Sequence, residues 1–251
     1  MTDQPRFIFS TFADSRTGNR GAVSMLESAI DHLTTDEYPG EVNVFTVYPK
    51  ADRKLPPTPH VQLYDGTPAN LVFKLIPLSL LYRLFKILHI KVSPGIFGRE
   101  MQALLDTDLC LMIGGTTFSD AQPIKIPYNI ACLLPAILLG KKSMMYSETL
   151  GPFNMAWSRF CAKWCFSRMN FIVPRGSQSL ENTRALNLKV PVEYFADSAF
   201  TLVVPETLEE QMRSKYAPLL AGKTVVGISV NSIVEEDYEV SFCGILCLKT
   251  G

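Results

Sequence analysis

Short apolar runs that alternate with amphipathic segments constrain the fold of this chain more than any other feature. Each run is rich in β-branched or aromatic residues and is closed by Gly, Ser, Asn, Asp or Pro. The predicted strands are Phe7–Phe12, Val42–Val47, Leu109–Ile113, Ser143–Ser147, Phe171–Val173, Val192–Phe195 and Thr224–Val230. Because most of these runs are continuously hydrophobic, we expect an α/β fold with a doubly wound parallel sheet that helices cover on both faces.

The segments between the strands have helical length and helical periodicity. The predicted helices are Ala22–Leu33, about Leu71–His89, Arg99–Leu105, Pro127–Leu139, Met155–Met169, Gln178–Leu186 and Leu208–Tyr216. Pro127 suits a first helical turn, and Gly140 suits the cap at the end of the same helix.

The chain divides unequally. We predict an N-terminal domain over 1–204, a connector helix over 205–222, and the first strand and remnant of a second domain over 223–251. Because one strand with a short tail cannot bury a core, we expect the second domain to be truncated here.

Charge and cysteine content narrow the functional classes. Lys and Arg number 24 and so do Asp and Glu, so no global field favours nucleic acid. Six cysteines are too few for a disulfide scaffold of this length, and the N-terminal residues do not resemble a signal peptide. We therefore expect a cytoplasmic protein with reduced thiols.

Residues 71–90 are apolar over a length that could span a bilayer, but they include Lys74, Pro77, Arg83 and Lys86. These charges argue against a membrane span. Two interpretations stay open: packing at the edge of the domain, and a helix that lies on an anionic membrane surface.

Candidate site residues lie where the predicted strands end, because parallel sheets bind ligands beyond their carboxyl ends. Gly18, Asn19, Arg20 and Gly21 precede the first helix and suit an anion, although an ordinary turn explains them equally well. Likewise, the Gly114–Gly115 pair permits either a tight turn or close approach to a ligand.

Two further strand ends carry charged and hydroxyl groups. Ser147 and Glu148 end one strand, and Glu148 is a candidate acid or base. Arg175 ends the next strand, where it could clamp an anion or pair with Asp197. Ser177 and Ser179 follow Arg175 at a predicted helix start, and we include both among the substrate-binding candidates.

Other catalytic and metal-binding residues are poorly supported. None of His32, His60 and His89 closes a strand, which disfavours a hydrolase with a Ser/His/Asp or Cys/His site. Cys161 and Cys165 share a helix face without a second ligand pair, so we predict core packing and no metal site.

Five of these stretches together resemble the polysaccharide pyruvyl transferase family. They occur in the family's order and spacing: GNRGAVSMLESAIDHL (18–33), DLCLMIGGTTFSD (108–120), YSETLGPF (146–153), VPRGSQSLENTRALNL (173–188) and ADSAFTL (196–202). The resemblance covers roughly residues 5–230. It departs at Gly176, where the family commonly has an acidic residue.

The resemblance implies a Rossmann-like domain that forms one half of a glycosyltransferase-B-like architecture, with the active site between the halves. It implies transfer of a pyruvyl group from phosphoenolpyruvate to two hydroxyls of a saccharide acceptor, forming a ketal and releasing phosphate. Phosphoenolpyruvate is then the donor substrate, and no cofactor is expected. The resemblance also implies a basic pair, including a catalytic His, in the second domain.

Phosphoenolpyruvate carries a phosphate and a carboxylate, so its site must gather positive charge. Arg175 is the first candidate for this clamp. Asn19, Arg20 and Gly21 are candidates for contact with donor or acceptor, and Asp197 could orient Arg175 or take part in acceptor binding. The candidate catalytic residues are Arg175, Glu148 and Asp197. Two alternatives stay open: a glycosyltransferase that uses nucleotide sugars, and a binding remnant without activity. Homo-oligomers are compatible with each of these functions.

Overall fold

The structure is a computed structural model that describes residues 7–13, 20–35, 40–222, 224–225 and 247–248. The chain separates into two compact units, Met1–Leu202 and Val203–Gly251. The predicted boundaries at 204 and 222 stay predictions.

The first unit contains a sheet of parallel strands. Its members are β1 (Phe7–Ala13), β2 (Gly40–Thr46), β3 (Val61–Asp65), β4 (Leu109–Ile113), β5 (Thr116–Phe118), β6 (Lys142–Leu150) and β7 (Phe171–Pro174). Neighbouring strands follow the order β3–β2–β1–β4–β6, and β6 also pairs with β7 and, near its carboxyl end, with β5. This order, with β1 next to β4 at the centre, is that of a Rossmann-like sheet.

Helices cover both faces of the sheet. They are α1 (Arg20–Leu33), α2 (Pro49–Asp52), α3 (Pro68–Asn70), α4 (Ile76–Ile87), α5 (Arg99–Asp106), α6 (Lys125–Leu139), α7 (Ala156–Phe166) and α8 (Ser177–Arg184). Side chains alternate between two cores because strand residues point to opposite faces in turn. Val44 packs with Met25 and Ile30 of α1, whereas its neighbour Phe45 packs into the larger core on the other face. The prediction of an α/β sheet covered on both faces is confirmed.

The strand predictions differ from the structure at three places. Two short strands, β3 and β5, were not predicted, because β3 mixes polar and apolar residues and β5 has only three residues. Val192–Phe195 was predicted as a strand, which is wrong: Val192 and Phe195 form only isolated bridges, and the intervening residues are exposed. Pro191 directly before this segment has no N–H to donate to a ladder.

The predicted helix Leu71–His89 consists of two segments in the structure, and a short helix precedes them. α3 is followed by a π-helical segment, Leu71–Leu75, and then by α4. The wider π turn lies just before Pro77, whose ring nitrogen has no hydrogen to donate to the preceding turn. The prediction for Gly140 is confirmed, because it adopts a left-handed conformation (φ 69°) as the cap of α6.

The described part of the second unit contains α9 (Glu206–Leu220) and the strands β8 (Thr224–Val225) and β9 (Cys247–Leu248), which pair antiparallel. The remainder of the predicted strand Thr224–Val230 lies outside the described residues. Over the described ranges, no helix is both long and apolar enough to cross a membrane.

Candidate functional site

The strand order reverses between β1 and β4, and this point defines where a ligand is expected. β1 pairs with β2 on one side and with β4 on the other, so the connections leave in opposite directions and open a crevice beyond the strand ends. Gly18 and Asn19, predicted here, lie outside the described residues. Arg20 and Gly21 form the exposed first turn of α1, where the positive end of the helix dipole favours anions.

Arg175 connects the ends of three strands at this edge of the sheet. Its backbone N–H donates to the Glu148 carbonyl at 2.8 Å, its Nε to Thr149 Oγ1 at 2.7 Å, and its Nη2 to the Gly115 carbonyl at 3.1 Å. The guanidinium group is therefore fixed at the point where β4, β6 and β7 end.

The same guanidinium group forms an ion pair with Asp197 and contacts Met25 of α1. Arg175 Nη1 donates to Asp197 Oδ2, and it lies 3.3 Å from Met25 Sδ. About a quarter of each charged side chain stays exposed, 24% for Arg175 and 23% for Asp197. Of the two interpretations of Arg175, the pairing with Asp197 is present in the structure, and the exposed remainder leaves room for an anion.

Asp197 is itself held by the backbone that follows it. Its Oδ1 accepts a hydrogen bond from Ala199 N at 2.9 Å and so caps the 3-10 helix Ser198–Thr201. Ser198 N donates to Ser147 Oγ at 2.9 Å, and the Ser198 carbonyl accepts from Ser28 Oγ of α1 at 2.6 Å. Ser147, a predicted site residue, is buried with a positive φ of 57° and serves this network.

Glu148 lies fully buried behind the turn that follows β4. Thr117 Oγ1 donates to Glu148 Oε2 at 2.9 Å. Burial raises the pKa of Glu148 to about 8, although the Thr117 hydrogen bond, the Arg175 charge and the Gly114 N–H each lower it. The carboxyl group is therefore mostly protonated at neutral pH, with no exposed surface of its own.

Gly114 and Gly115 have different neighbours. A Cβ on Gly114 would lie 2.9 Å from Thr117 Cγ2 and 3.2 Å from Glu148 Oε1. A Cβ on Gly115 would lie 3.7 Å from Arg175 Nη2, which is an ordinary contact. Gly114 thus has the geometry of a tight turn, and Gly115 lies beside the candidate site.

The helix after β7 places its two serines differently. Ser177 is exposed in the first turn of α8, whereas Ser179 is buried and its Oγ accepts from Leu150 N at 3.1 Å. Gly176 precedes α8 with φ 82°, a conformation that favours glycine and accounts for the residue that departs from the family pattern.

Three residues at the site were not predicted from the sequence. Thr149 and Met25 contact the Arg175 guanidinium, and Thr117 bonds to Glu148. The sequence signals for the threonines were their positions after strand ends, in YSETLGPF for Thr149 and in GGTTF for Thr117. Met25 had no sequence signal, because a methionine in a helix ordinarily indicates core packing.

Among the described residues, the buried thiols and the acidic side chains form neither a reactive thiol site nor a metal site. Burial raises the pKa of Cys110, Cys132 and Cys165 to about 12, so these thiols stay protonated and pack as apolar groups. Across the ranges that the structure describes, no three His, Cys, Asp or Glu residues are grouped as ligands for a metal ion.

A Rossmann-like sheet with a fixed guanidinium at its switch point defines a class of α/β proteins suited to anionic ligands. The family within this class is given by sequence comparison: a family model for polysaccharide pyruvyl transferase matches residues 19–243, and the chain belongs to this family. The amylovoran biosynthesis protein AmsJ of Erwinia amylovora is 23% identical over 249 residues, covering 90% of this chain. The chain spans 59% of the length of this curated relative.

Proposed function

We propose that this chain is a polysaccharide pyruvyl transferase that uses phosphoenolpyruvate as donor in the synthesis of an exopolysaccharide. Family membership supports the transferase class, and the name of its relative in amylovoran biosynthesis supports the polysaccharide context. We further propose a cytoplasmic location and a glycosyltransferase-B-like pair of Rossmann-like halves, of which Met1–Leu202 is the first.

The observation that carries this proposal is the Arg175 guanidinium at the switch point. A guanidinium attracts a phosphate or carboxylate by its fixed positive charge, and hydrogen bonds to Gly115 and Thr149 already fix its orientation. Arg20 at the start of α1 adds a second positive charge, and the helix dipole has the same sign. These groups match an anion that carries both a phosphate and a carboxylate.

The reaction takes up two protons, on the methylene carbon and on the departing phosphate, and releases two protons from the sugar hydroxyls. A proton adds to the methylene carbon of phosphoenolpyruvate, and C2 becomes an oxocarbenium-like centre. One sugar hydroxyl attacks C2 and loses its proton, and the C2–O bond to phosphate breaks with uptake of a proton by the departing phosphate. The second hydroxyl then attacks C2 and loses its proton, which closes the ketal. Fixed positive charge assists because negative charge accumulates on the departing phosphate.

Within this scheme the described residues take different roles. Arg175 and Arg20 bind the donor, and Asp197 positions the guanidinium. Glu148 acts as a positioning residue, because its neutral carboxyl group is buried behind Gly114 and shapes the turn beside the donor. Asn19, Gly21 and Ser177 stay candidates for contact with donor or acceptor.

The experiment that tests donor binding is thermal unfolding of the chain with millimolar phosphoenolpyruvate. A ligand that binds only the folded state raises the unfolding temperature with its concentration. Arg20→Ala is the variant of choice because Arg20 is exposed, so its loss leaves the fold intact. We expect it to weaken binding about fivefold or more, the worth of about one charge-assisted hydrogen bond.

Arg184→Ala is the matched control, since Arg184 is also an exposed arginine and lies in the last turn of α8, at the far end of that helix from Arg175. It should bind phosphoenolpyruvate like the original chain. Stabilisation by uridine diphosphate glucose but not by phosphoenolpyruvate would replace the proposal with a glycosyltransferase. Cooperative unfolding that responds to neither compound would identify a binding remnant without this activity.

A further inference from the structure

We propose that the segment from Leu71 to Ile96 docks on the surface of an anionic lipid bilayer. We call its exposed apolar side chains the α4 face. The members of this face are Val72, Phe73, Leu80, Leu81, Leu84, Ile87, Leu88, Ile90 and Ile96. The inference concerns a surface away from the candidate site and does not depend on pyruvyl transfer.

The segment that carries the α4 face is apolar on its outer side, unlike an ordinary surface helix. One side of the segment packs into the core through Leu71, Leu75 and Ser79, which are all buried. The opposite side exposes 82% of Phe73 and 63% of Ile87, where a surface helix of a globular domain normally presents polar residues. An exposed apolar stripe of this length marks an interaction surface.

The charged residues within the segment that carries the α4 face are all basic. No Asp or Glu occurs from Gly66 to Arg99, although acids and bases are equal in number over the whole chain. Lys74 pairs with Glu100 at 3.1 Å, but Arg83, Lys86 and Lys91 have no ion-pair partner among the described residues. These three cations therefore stay available to negatively charged groups.

A groove at the end of α4 combines both properties. It has a volume of about 430 Å³, and Tyr82, Phe85, Ile90 and Val92 line it together with Lys86 and Lys91. The two ammonium groups can pair with the phosphate of a lipid, and the apolar side chains of the groove can contact its acyl chain.

Charge also decides between a bilayer and a second copy of this chain. A two-fold contact through the α4 face would bring Arg83 and Lys86 close to the same residues of the other copy, and like charges repel. An anionic bilayer neutralises these cations while it buries the apolar stripe. No described helix can cross the membrane, so the segment would lie in the interface.

The test is flotation of the full chain with vesicles of phosphatidylcholine alone and of phosphatidylcholine with 30% phosphatidylglycerol. We expect binding to the anionic vesicles, weaker binding to the neutral ones, and release as sodium chloride is raised to ~0.5 M, where screening shortens the range of the charges. No binding to the anionic vesicles would overturn the proposal.

Two double variants separate the apolar and the electrostatic contributions. Leu84→Gln with Ile87→Gln should reduce binding at least tenfold, because two exposed apolar side chains no longer enter the interface. Arg83→Gln with Lys86→Gln should reduce binding to anionic vesicles about 25-fold, at about fivefold for each cation. It should not change binding to neutral vesicles.

The controls carry the same chemical changes elsewhere. Ile124→Gln alters a side chain that is 88% exposed, and Arg53→Gln with Lys54→Gln removes two adjacent exposed cations. Both should bind vesicles like the original chain. Equal loss of binding in the control and test variants would overturn the proposal. So would a dimer in sedimentation equilibrium that Leu84→Gln with Ile87→Gln abolishes while vesicle binding is unchanged, which would assign the α4 face to a second copy.

Discussion

Two of the ion pairs in the structure lie in contrasting regions. Arg175 and Asp197 lie at the carboxyl edge of the sheet, where hydrogen bonds to Gly115 and Thr149 surround the guanidinium. Lys74 and Glu100 lie beside the α4 face, where 44% of the lysine side chain is exposed. The first pair joins the end of β7 to the start of the 3-10 helix Ser198–Thr201, whereas the second lies on the surface. The same chemistry therefore has different consequences for folding and binding.

The largest expected effect comes from Arg175→Ala. The change leaves the partly buried Asp197 carboxylate unpaired and removes donors from Gly115 and Thr149, so we expect about 2–4 kcal/mol of lost stability. Urea unfolding measures this loss. Arg184→Ala is the control and should cost about 0.5 kcal/mol or less. A similar small loss in both variants would show that the two regions do not differ.

The buried carboxyl group of Glu148, at the same edge of the sheet, should make the free energy of unfolding depend on pH. The pKa of Glu148 rises from 4.5 to about 8 on folding, so between these values the folded state holds a proton that the unfolded state has released. Stability from this group is fully present below pH 4.5 and declines as pH rises to about 8, with a steepest slope of about 1.4 kcal/mol per pH unit.

Glu148→Gln removes this titration and keeps the size of the side chain. Unfolding free energies of the two proteins, measured from pH 5 to pH 8, should converge or cross as the pH rises, because only the original chain loses this contribution. Parallel curves would mean that Glu148 is ionised in the folded protein and that the edge of the sheet tolerates a buried charge.

A smaller difference separates the two adjacent glycines. Gly114→Ala forces a Cβ against Thr117 and Glu148 at 2.9 and 3.2 Å, and we expect a loss of about 1–2 kcal/mol. Gly115→Ala meets only ordinary contacts, so thermal unfolding should change little while phosphoenolpyruvate binding weakens. If Gly115→Ala lost as much stability as Gly114→Ala, the turn would be equally tight at both positions.

The smallest effect is expected at the second ion pair. Lys74→Met keeps the aliphatic stem and removes the charge, and we expect about 0.5 kcal/mol or less because exposed pairs contribute little. Unfolding in urea at low and high salt checks this value. A loss comparable to that of Arg175→Ala would remove the distinction between the two regions.

The two regions also differ in how much the sequence could predict. The α4 face is continuous along the chain, so apolar residues and bases could be found together, although its interruption by a π-helical segment was not expected. Most strands were predicted because a strand buried on both faces is a continuous apolar run. The edge strand β3 was missed because its pattern is mixed.

The carboxyl edge depends on residues that are distant in sequence. Arg175, Glu148 and Gly115 were predicted as candidates because each lies at the end of a predicted strand. Their hydrogen bonds, however, depend on the register of β6 with β7. Neither the burial of Glu148 nor the contact between Arg175 and Met25 leaves a local pattern, because both depend on residues that are distant in sequence. Such contacts require the folded structure.

The central place of β1 sets an order for the assembly of this molecule during synthesis. β1 leaves the ribosome before both of its partners: β2 follows soon enough to pair with it, but β4 comes about a hundred residues later. Until β4 has been translated, one edge of β1 has backbone groups without strand partners. Pairing of β1 with β4 then closes a long loop. Asp197 emerges later still, so its ion pair with Arg175 forms only after β1 to β7 have all been translated.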